Sequence, residues 1–428
     1  MKSPLTFLLR SVFASLGLAA VLAAGLAHAR AEPSSPAFAL HDGDRVVFYG
    51  DSITQDGGYA AFVEEYCRSR YPALDFRFYY SGVGGDTVQG GGAGEIGLRL
   101  ERDVFRHKPT VVTIMLGMND GHYRKLEPAT LAAFTEGYRS IVVKIRQAFP
   151  TARIYLIRSS PFDDVARRPD FAPGYMDVLR QMGDSVAAIA KEQQAQVVDF
   201  GAVVADALRR AVKNDPGRAL HLLPDRVHPS GAGHLVMGAA LARALGARPL
   251  VCRVEIDAKG AKVSAQENAS VSALKVENGV VTWTEKDGSL PLPLNFEEAN
   301  VQLAQIAGAD LGGLDDEPLV VRGLAPGRYE VRVDGQAIGP FSQAELARGI
   351  NLALYNTPMR WQAYQVTWAS ESGREMQRLE RQIRYRANGD AGALAAADFL
   401  LGREEAEQAT RSKAALPLER HFSVTRVP

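Results

Sequence analysis

Four short segments of the sequence carry side chains that together suit acyl transfer to a serine hydroxyl. They are residues 49–54 with a Gly-Asp-Ser turn, the glycine-rich 81–87, residues 116–120, and residues 225–229. A serine is a poor nucleophile until an imidazole takes its proton, and the resulting oxyanion requires preorganised hydrogen-bond donors. Ser52 supplies the hydroxyl and His228 the imidazole, with Asp225 spaced to hold one tautomer. The glycine-rich loop offers backbone N–H donors, and Asn119 offers a side-chain amide. Each segment alone is an ordinary turn, so the inference depends on their combination.

Apolar runs that alternate with amphipathic patterns determine where these segments lie. Strands are predicted at 45–49, 76–80, 111–116, 153–158 and 196–200, and helices at 59–70, 96–106, 128–147, 175–193 and 233–245. This alternation is typical of a parallel five-stranded sheet covered by helices, a three-layer α/β/α domain over residues 40–250. The first three segments follow the first three strands, and the fourth precedes the last helix. Because ligands of such sheets bind at the carboxyl ends of the strands, Ser52 is expected in the active-site crevice.

The contents and order of the four segments resemble the sequence blocks of the SGNH (GDSL-type) hydrolase family over about residues 44–245. The resemblance implies a flavodoxin-like α/β fold and cleavage of carboxylic esters through an acyl-enzyme. By position it makes Ser52 the nucleophile, His228 the general base and Asp225 its orienting partner. It makes Gly85, Asn119 and the backbone N–H of Ser52 the oxyanion hole. These groups act without a cofactor, and neither a cofactor nor a metal is expected.

Three positions depart from the family pattern. Ile53 replaces the leucine of the family name, a change that leaves the serine untouched. Tyr80 stands where many members have an asparagine that supports the glycine-rich loop. Met118 replaces a frequent glycine, which places a thioether at the expected acyl pocket. None of these changes removes a catalytic group.

The N-terminal 31 residues have the pattern of a secretory signal peptide. Lys2 and Arg10 precede an apolar stretch at 11–26 that ends in small residues. The protein is therefore expected to be secreted or periplasmic, with no stable membrane insertion after signal cleavage.

Its 49 basic and 49 acidic residues are balanced, which argues against nucleic acid as a partner. Cys67 and Cys252 suit either a disulfide or two separate buried thiols.

Beyond residue 250 the pattern changes to a β-rich module at 251–340 and a helical extension at 341–428. Strands are predicted at 251–256, 280–283 and 329–333, a capping box at Ser342 and Glu345, and helices at 360–386 and 391–412. The charged stretch 374–386 interleaves arginines with glutamates, which favours a solvated helix with internal ion pairs over a membrane-binding surface.

Other motifs in the sequence bear on functions other than that of an esterase. Residues 92–97 fit G-x-G-x-x-G but do not directly follow a strand, which argues against a dinucleotide-binding dehydrogenase. The sequence contains no G-x-S-x-G elbow, no H-E-x-x-H and no paired C-x-x-C. A carbohydrate O-acetylesterase is the favoured interpretation, since the substrate is expected to be a small-molecule or polysaccharide ester. A lipase or lysophospholipase is the first alternative. A mainly glycan-binding protein that uses Trp283, Tyr329, Trp361 and Trp368 is the second.

Overall fold

A five-stranded parallel sheet forms the centre of the first half of the chain. The computed structural model describes residues 38–428, so the predicted signal peptide lies outside the described residues. The strands of this sheet run in the order β2-β1-β5-β6-β7. Their bounds are β1 Arg45–Gly50, β2 Arg77–Gly82, β5 Val111–Met115, β6 Arg153–Arg158 and β7 Gln196–Asp199. Two short strands, β3 Gly90–Gly91 and β4 Gly94–Glu95, pair in the loop after β2. The predicted parallel five-stranded α/β domain is confirmed.

Helices cover both faces of this sheet because its central strands are buried on both sides. They are α1 Ser52–Asp56, α2 Gly58–Arg70, α3 Ile96–Asp103, α4 Pro128–Ala148, α5 Tyr175–Glu192, α6 Phe200–Asn214, α7 Pro216–Ala219 and α8 Gly231–Ala244. Helix α6 was not among the predicted helices, because β7 runs directly into it. Asp199 both ends the strand and caps the helix by accepting a hydrogen bond from the Ala202 N–H at 2.8 Å.

The second half contains two further sheets, ordered β10-β11-β16-β13-β14 and β15-β12-β8-β9. Their strands are β8 Arg253–Asp257, β9 Lys262–Glu267, β10 Ala269–Glu277, β11 Val280–Asp287, β12 Pro318–Arg322, β13 Arg328–Val333, β14 Gln336–Ser342, β15 Ile350–Asn351 and β16 Arg420–Val427. The helical prediction for 341–428 missed β16, which pairs antiparallel with both β11 and β13. Burial alternates along its eight residues, with Phe422 and Val424 buried, as expected for a strand with one face on the core.

The remaining helices are α9 Ala299–Ile306, α10 Gln343–Arg348, α11 Pro358–Arg386 and α12 Ala391–Ala414. The capping box at Ser342 and Glu345 is present at the start of α10. Helix α9 packs on α8 and α6, and its Val301 and Leu303 belong to the core of the α/β domain. Residues 38–428 form one compact unit. The predicted boundaries at 250 and 340 stay predictions.

Helices α11 and α12 pack as an antiparallel pair against β2, which lies at one edge of the parallel sheet. Gln377 on α11 donates to the Phe78 carbonyl at 2.8 Å and accepts from the Tyr80 N–H at 3.1 Å. Gln408 on α12 accepts from the Phe78 N–H at 2.9 Å. Open strand edges present unpaired backbone groups. The two buried glutamines therefore complete the hydrogen bonding of this edge.

Both cysteines are buried free thiols, so the structure favours two separate thiols over a disulfide.

Of the four aromatic residues proposed for glycan binding, Trp283 and Tyr329 are core residues at 2% exposure. Trp361 and Trp368 are exposed. Within residues 38–428, no helix combines the length and hydrophobicity that crossing a bilayer requires.

Candidate active site

Ser52, His228 and Asp225 form a continuous hydrogen-bonded chain. The Ser52 Oγ lies 2.8 Å from the His228 Nε2, and the His228 Nδ1 lies 2.6 Å from the Asp225 Oδ2. The other oxygen of Asp225 accepts from the His228 N–H at 2.7 Å. The two ring nitrogens of the histidine therefore have distinct partners, which is the arrangement of a nucleophile, a base and an orienting carboxylate.

The position of Ser52 follows from a sharp turn between β1 and α1. Gly50 ends the strand so close to its neighbours that a Cβ there would lie 2.6 Å from the Met115 carbonyl oxygen. Asp51 caps α1 by accepting from the Ile53 N–H at 3.0 Å. Ser52 is thus the first helical residue, and its N–H has no acceptor among the described residues.

The loop that carries His228 is held by Arg226. This residue adopts a left-handed backbone conformation, φ +75°, which turns the chain between the aspartate and the histidine. Its guanidinium forms ion pairs with Asp164 and Asp170, each at 2.8 Å, and lies over the ring of Phe162. The sequence reading assigned Arg226 no role. Its effect is to fix the imidazole by anchoring the backbone beside it.

Asp225 and His228 are exposed, with side chains 56% and 46% accessible. Partial burial of the carboxylate acts to raise the pKa of Asp225. The hydrogen bonds from the side chain and backbone of His228 outweigh that effect and hold the pKa below its ordinary value. The carboxylate is therefore charged at neutral pH and able to stabilise an imidazolium.

The residues predicted as oxyanion donors lie on the two loops that follow β2 and β5. Gly85 has a φ of +76°, and its N–H has no acceptor among the described residues. Asn119 donates one amide hydrogen to the Asp86 carbonyl at 2.9 Å, and its oxygen accepts from the Tyr123 hydroxyl at 3.1 Å. Those two contacts fix the orientation of the amide and leave its second hydrogen available.

Buried carboxyl groups that the sequence reading did not single out support these loops. Asp51 is fully buried, and burial raises its pKa to about 7. Burial likewise raises the pKa of Asp120 to about 6, although its Oδ1 accepts from the Val88 N–H at 2.9 Å. Asp86 forms a buried ion pair with Arg99 at 2.6 Å. These contacts connect the glycine-rich loop to the loop that carries Asn119.

The three departures from the family pattern have separate structural outcomes. Tyr80 donates its hydroxyl to Glu64 at 2.5 Å and packs inside the protein, so it supports α2 rather than the glycine-rich loop. Met118 is fully buried in the core, so the expectation that its thioether lines an acyl pocket is wrong. Ile53, the residue after Ser52, is buried in the core.

A second histidine–aspartate pair lies one helix away. The His234 Nε2 lies 2.7 Å from the Asp56 Oδ2, and the His234 Nδ1 accepts from the Tyr59 N–H at 3.2 Å. Both ring nitrogens are used in holding α8 against α1 and α2. This pair is structural, and only the pair at 225 and 228 reaches Ser52.

Within the described part of the chain, one group of side chains has ligand atoms close enough to hold a metal ion. Cys252, Asp287 and Glu317 are buried in the second half, with ligand atoms within 4.8 Å of one another. They are separate from the hydrogen-bonded chain at Ser52.

The glycine pattern at 92–97 leads into α3, whose first N–H groups are capped by the Glu95 carboxylate.

Comparison with known proteins agrees with this geometry. Residues 48–236 match the family described as GDSL-like lipase/acylhydrolase. The acetylxylan esterase of Geobacillus stearothermophilus is 29% identical over 228 residues, which cover 48% of this chain and 96% of the relative. A gut microbial diltiazem-metabolizing enzyme of known structure is 23% identical, with a TM-score of 0.78 over 91% of this chain and 98% of that one. This last likeness shows that the fold extends over both halves. Through residues 48–236 the chain belongs to the SGNH (GDSL-type) hydrolases, and it is a hydrolase that acts on ester bonds.

Proposed function

We propose that the chain is an exported serine esterase that removes short acyl groups, chiefly acetyl, from carbohydrate. The observation that carries the proposal is the unbroken contact from Asp225 through His228 to Ser52, with distances of 2.6 Å and 2.8 Å. The relative that is 29% identical is named an acetylxylan esterase, which supports a carbohydrate substrate. The exposure of the imidazole also suits a polymeric substrate, which must reach the serine from solution.

The reaction follows from the geometry in two steps. His228 takes the proton of Ser52 as the hydroxyl oxygen attacks the ester carbonyl, and the charged tetrahedral oxygen faces the N–H groups of Ser52 and Gly85 and the amide of Asn119. The C–O bond breaks, and the sugar hydroxyl leaves with the proton from His228. Water then attacks the acyl-enzyme with the same base, which releases the acid and restores Ser52. Each oxyanion donor is expected to contribute roughly 10²-fold to 10³-fold in rate.

A release assay tests both the mechanism and the substrate. Wild type and Ser52→Ala are compared on p-nitrophenyl acetate, butyrate and palmitate and on acetylated xylan, with the exposed Ser372→Ala as the matched control. The expected result is acetate release by wild type and Ser372→Ala, with little activity on palmitate. Activity that survives in Ser52→Ala contradicts the mechanism, and a preference for palmitate assigns the chain to the lipase alternative.

Export is the second part of the proposal and rests on the pattern of residues 1–31. N-terminal sequencing of protein recovered outside the cytoplasm tests it. A mature chain that begins after Ala29 or Ala31 is expected, and an intact N-terminus in the cytoplasmic fraction contradicts it.

Glycan binding remains a second candidate function, because three aromatic rings cluster on α11. Trp361, Tyr364 and Trp368 have ring centroids about 6 Å apart and line a cavity of about 610 Å³. Exposed aromatic faces of this kind stack on sugars. Trp361→Ala is expected to weaken binding to xylan several-fold without changing hydrolysis of p-nitrophenyl acetate. Unchanged retention on xylan would remove this candidate.

A further inference from the structure

A cavity of about 470 Å³ lies between the glycine-rich loop and α11. One wall consists of Gln55 and residues 82–84, with Gly92 and Ala93 beside them. The opposite wall consists of Arg378, Arg381, Gln382, Tyr385 and Arg386. Three arginines and no carboxylate line this cavity, which we call the arginine pocket.

The arginine pocket adjoins the nucleophile. A Cβ placed on Gly84 would lie 4.0 Å from the Ser52 Cβ, so the wall of the pocket touches the serine. Gln55 accepts from the Gly84 N–H at 2.7 Å and holds this wall in place. Gly85, a predicted oxyanion donor, is the next residue. A molecule whose ester lies at Ser52 therefore has its neighbouring substituents within reach of the arginines.

Arg381 is the central observation. Its side chain is 91% buried, since the residue is only 9% exposed. No carboxylate or hydrogen-bond acceptor of the described residues contacts its guanidinium. The nearby acids have other partners, because Asp103 is bound by Arg99 and Arg102 and Glu380 by Arg106 and Arg384. Arg381 is thus left as a buried positive charge that faces the cavity.

Such a charge is costly to keep without a counterion. Removing a guanidinium from water costs several kcal/mol unless an opposite charge compensates it. Burial also lowers the pKa of Arg381 below its ordinary value, and this effect outweighs the opposing charges of Asp103 and Glu380 nearby. The protein itself does not supply a counterion for the Arg381 guanidinium, so a bound anion would stabilise it.

The other two arginines extend the positive charge toward solvent. Arg386 is exposed and has no ion-pair partner among residues 38–428. Arg378 is exposed and pairs with Glu375 on the outer surface of the helix. A guanidinium binds planar carboxylates through two parallel hydrogen bonds, so an entry lined in this way attracts and orients an anion.

We propose that the arginine pocket binds an anionic group carried by the ester substrate, so that the preferred substrates are acylated acidic sugars, uronates above all. The inference rests on the proposed esterase function and adds the class of substrate. Carboxylate and sulfate share the required chemistry, and the experiment separates them.

The first experiment measures binding without catalysis. Ser52→Ala and Ser52→Ala/Arg381→Gln are titrated by calorimetry with acetylated oligogalacturonate, a sulfated neutral oligosaccharide and acetylated xylo-oligosaccharide. Ser52→Ala/Arg403→Gln is the matched control, because Arg403 is exposed on α12 and, among the residues that the structure describes, forms its ion pair with Glu407 alone. Tenfold or greater loss of affinity for the uronate is expected on removing Arg381, with no loss in the control. Arg381-dependent binding of the sulfated sugar alone would assign the pocket to sulfate, whereas equal binding of all three sugars by every variant overturns the proposal.

A second variant protects the test against misfolding. Arg386→Gln changes an exposed side chain and is expected to weaken uronate binding several-fold with unchanged thermal unfolding. Arg381→Met, which removes the buried charge but keeps the volume, is expected to raise the melting temperature while it weakens uronate binding. A fall in the melting temperature of Arg381→Met would instead make Arg381 a structural residue.

Kinetics separates this proposal from the esterase function. For the active enzyme, the ratio of kcat/KM on acetylated uronate to kcat/KM on acetylated xylo-oligosaccharide is expected to fall at least tenfold in Arg381→Gln, mainly through KM. If Ser52 is not the nucleophile, hydrolysis survives Ser52→Ala while the Arg381-dependent binding remains. If the pocket does not bind anions, Ser52-dependent hydrolysis remains but shows no preference for acidic sugars.

Discussion

The carboxyl end of the parallel sheet, which carries the Ser52 site, and the pair of helices that covers its β2 edge use polar side chains in different ways. At the carboxyl end of the sheet, Asp225 and His228 are exposed and lie on a short turn. On the helix pair, Gln377 and Gln408 are buried and bind backbone groups some 300 residues away in sequence. Side chains of the first kind are free to do chemistry at small cost to stability. Those of the second kind determine stability, because a buried polar group that loses its partner costs free energy.

Replacing His228 should produce the largest effect and leave folding intact. Loss of the general base from a serine mechanism costs on the order of 10⁴-fold to 10⁶-fold in kcat. His228→Ala is expected to show such a loss with unfolding free energy within about 0.5 kcal/mol of wild type, since the side chain is exposed. His221→Ala, on an exposed position of the same region, is the control and should keep full activity. A large fall in stability with His228→Ala would show that this exposed side chain is also needed for folding.

Asp51 is the exception at the carboxyl end of the sheet, since its carboxyl is fully buried. Its pKa is raised from 3.8 to about 7, so the folded state binds this proton more tightly than the unfolded state. The stability that the proton confers is complete below about pH 3.8 and is lost as the pH rises through 7, by up to roughly 4 kcal/mol at about 1.4 kcal/mol per pH unit. Asp51→Asn keeps the helix cap, because asparagine caps as well as aspartate. It should therefore be more stable than wild type at pH 8, and this advantage should disappear near pH 4 in unfolding experiments at both pH values.

Replacing either buried glutamine should destabilise the protein without touching the reaction directly. Gln408→Ala leaves the Phe78 N–H without its acceptor, which is expected to cost about 1–3 kcal/mol. Gln377→Ala should cost a similar amount. Urea unfolding measures both, with the exposed Gln305→Ala as control. If all three variants unfold alike, the edge of β2 does not need these side chains.

The smallest effect is expected at the cysteines. Burial raises the pKa of the Cys67 and Cys252 thiols, and neither is exposed to reagents. A thiol reagent should therefore label neither cysteine in the folded protein and both after denaturation, and a reductant should not change the melting temperature. A reductant-dependent drop of several degrees would indicate a disulfide between the two halves.

The contrast between local turns and long-range contacts also explains which features could be predicted from the sequence. The strands and the turns at Ser52 and His228 are local patterns, and the structure brings those two residues together as their order predicts. The supporting contacts of Arg226, Asp120 and Arg99 were not foreseen, because each depends on a partner from a distant segment. Trp283 and Trp368 have the same residue type and similar surroundings in sequence, yet one is buried and the other exposed. Only tertiary packing makes that distinction.

The position of β16 determines when the larger sheet of the second half can be completed during synthesis. This strand lies between β11 and β13, so the sheet has two separate hairpins, β10–β11 and β13–β14, until residue 427 has been synthesised. Both hairpins then present open edges that face a missing strand. A peptide of residues 420–427 supplied separately is therefore the natural complement for a chain that lacks them. The protein could therefore be divided into two fragments, the chain without β16 and the β16 peptide, that assemble on mixing.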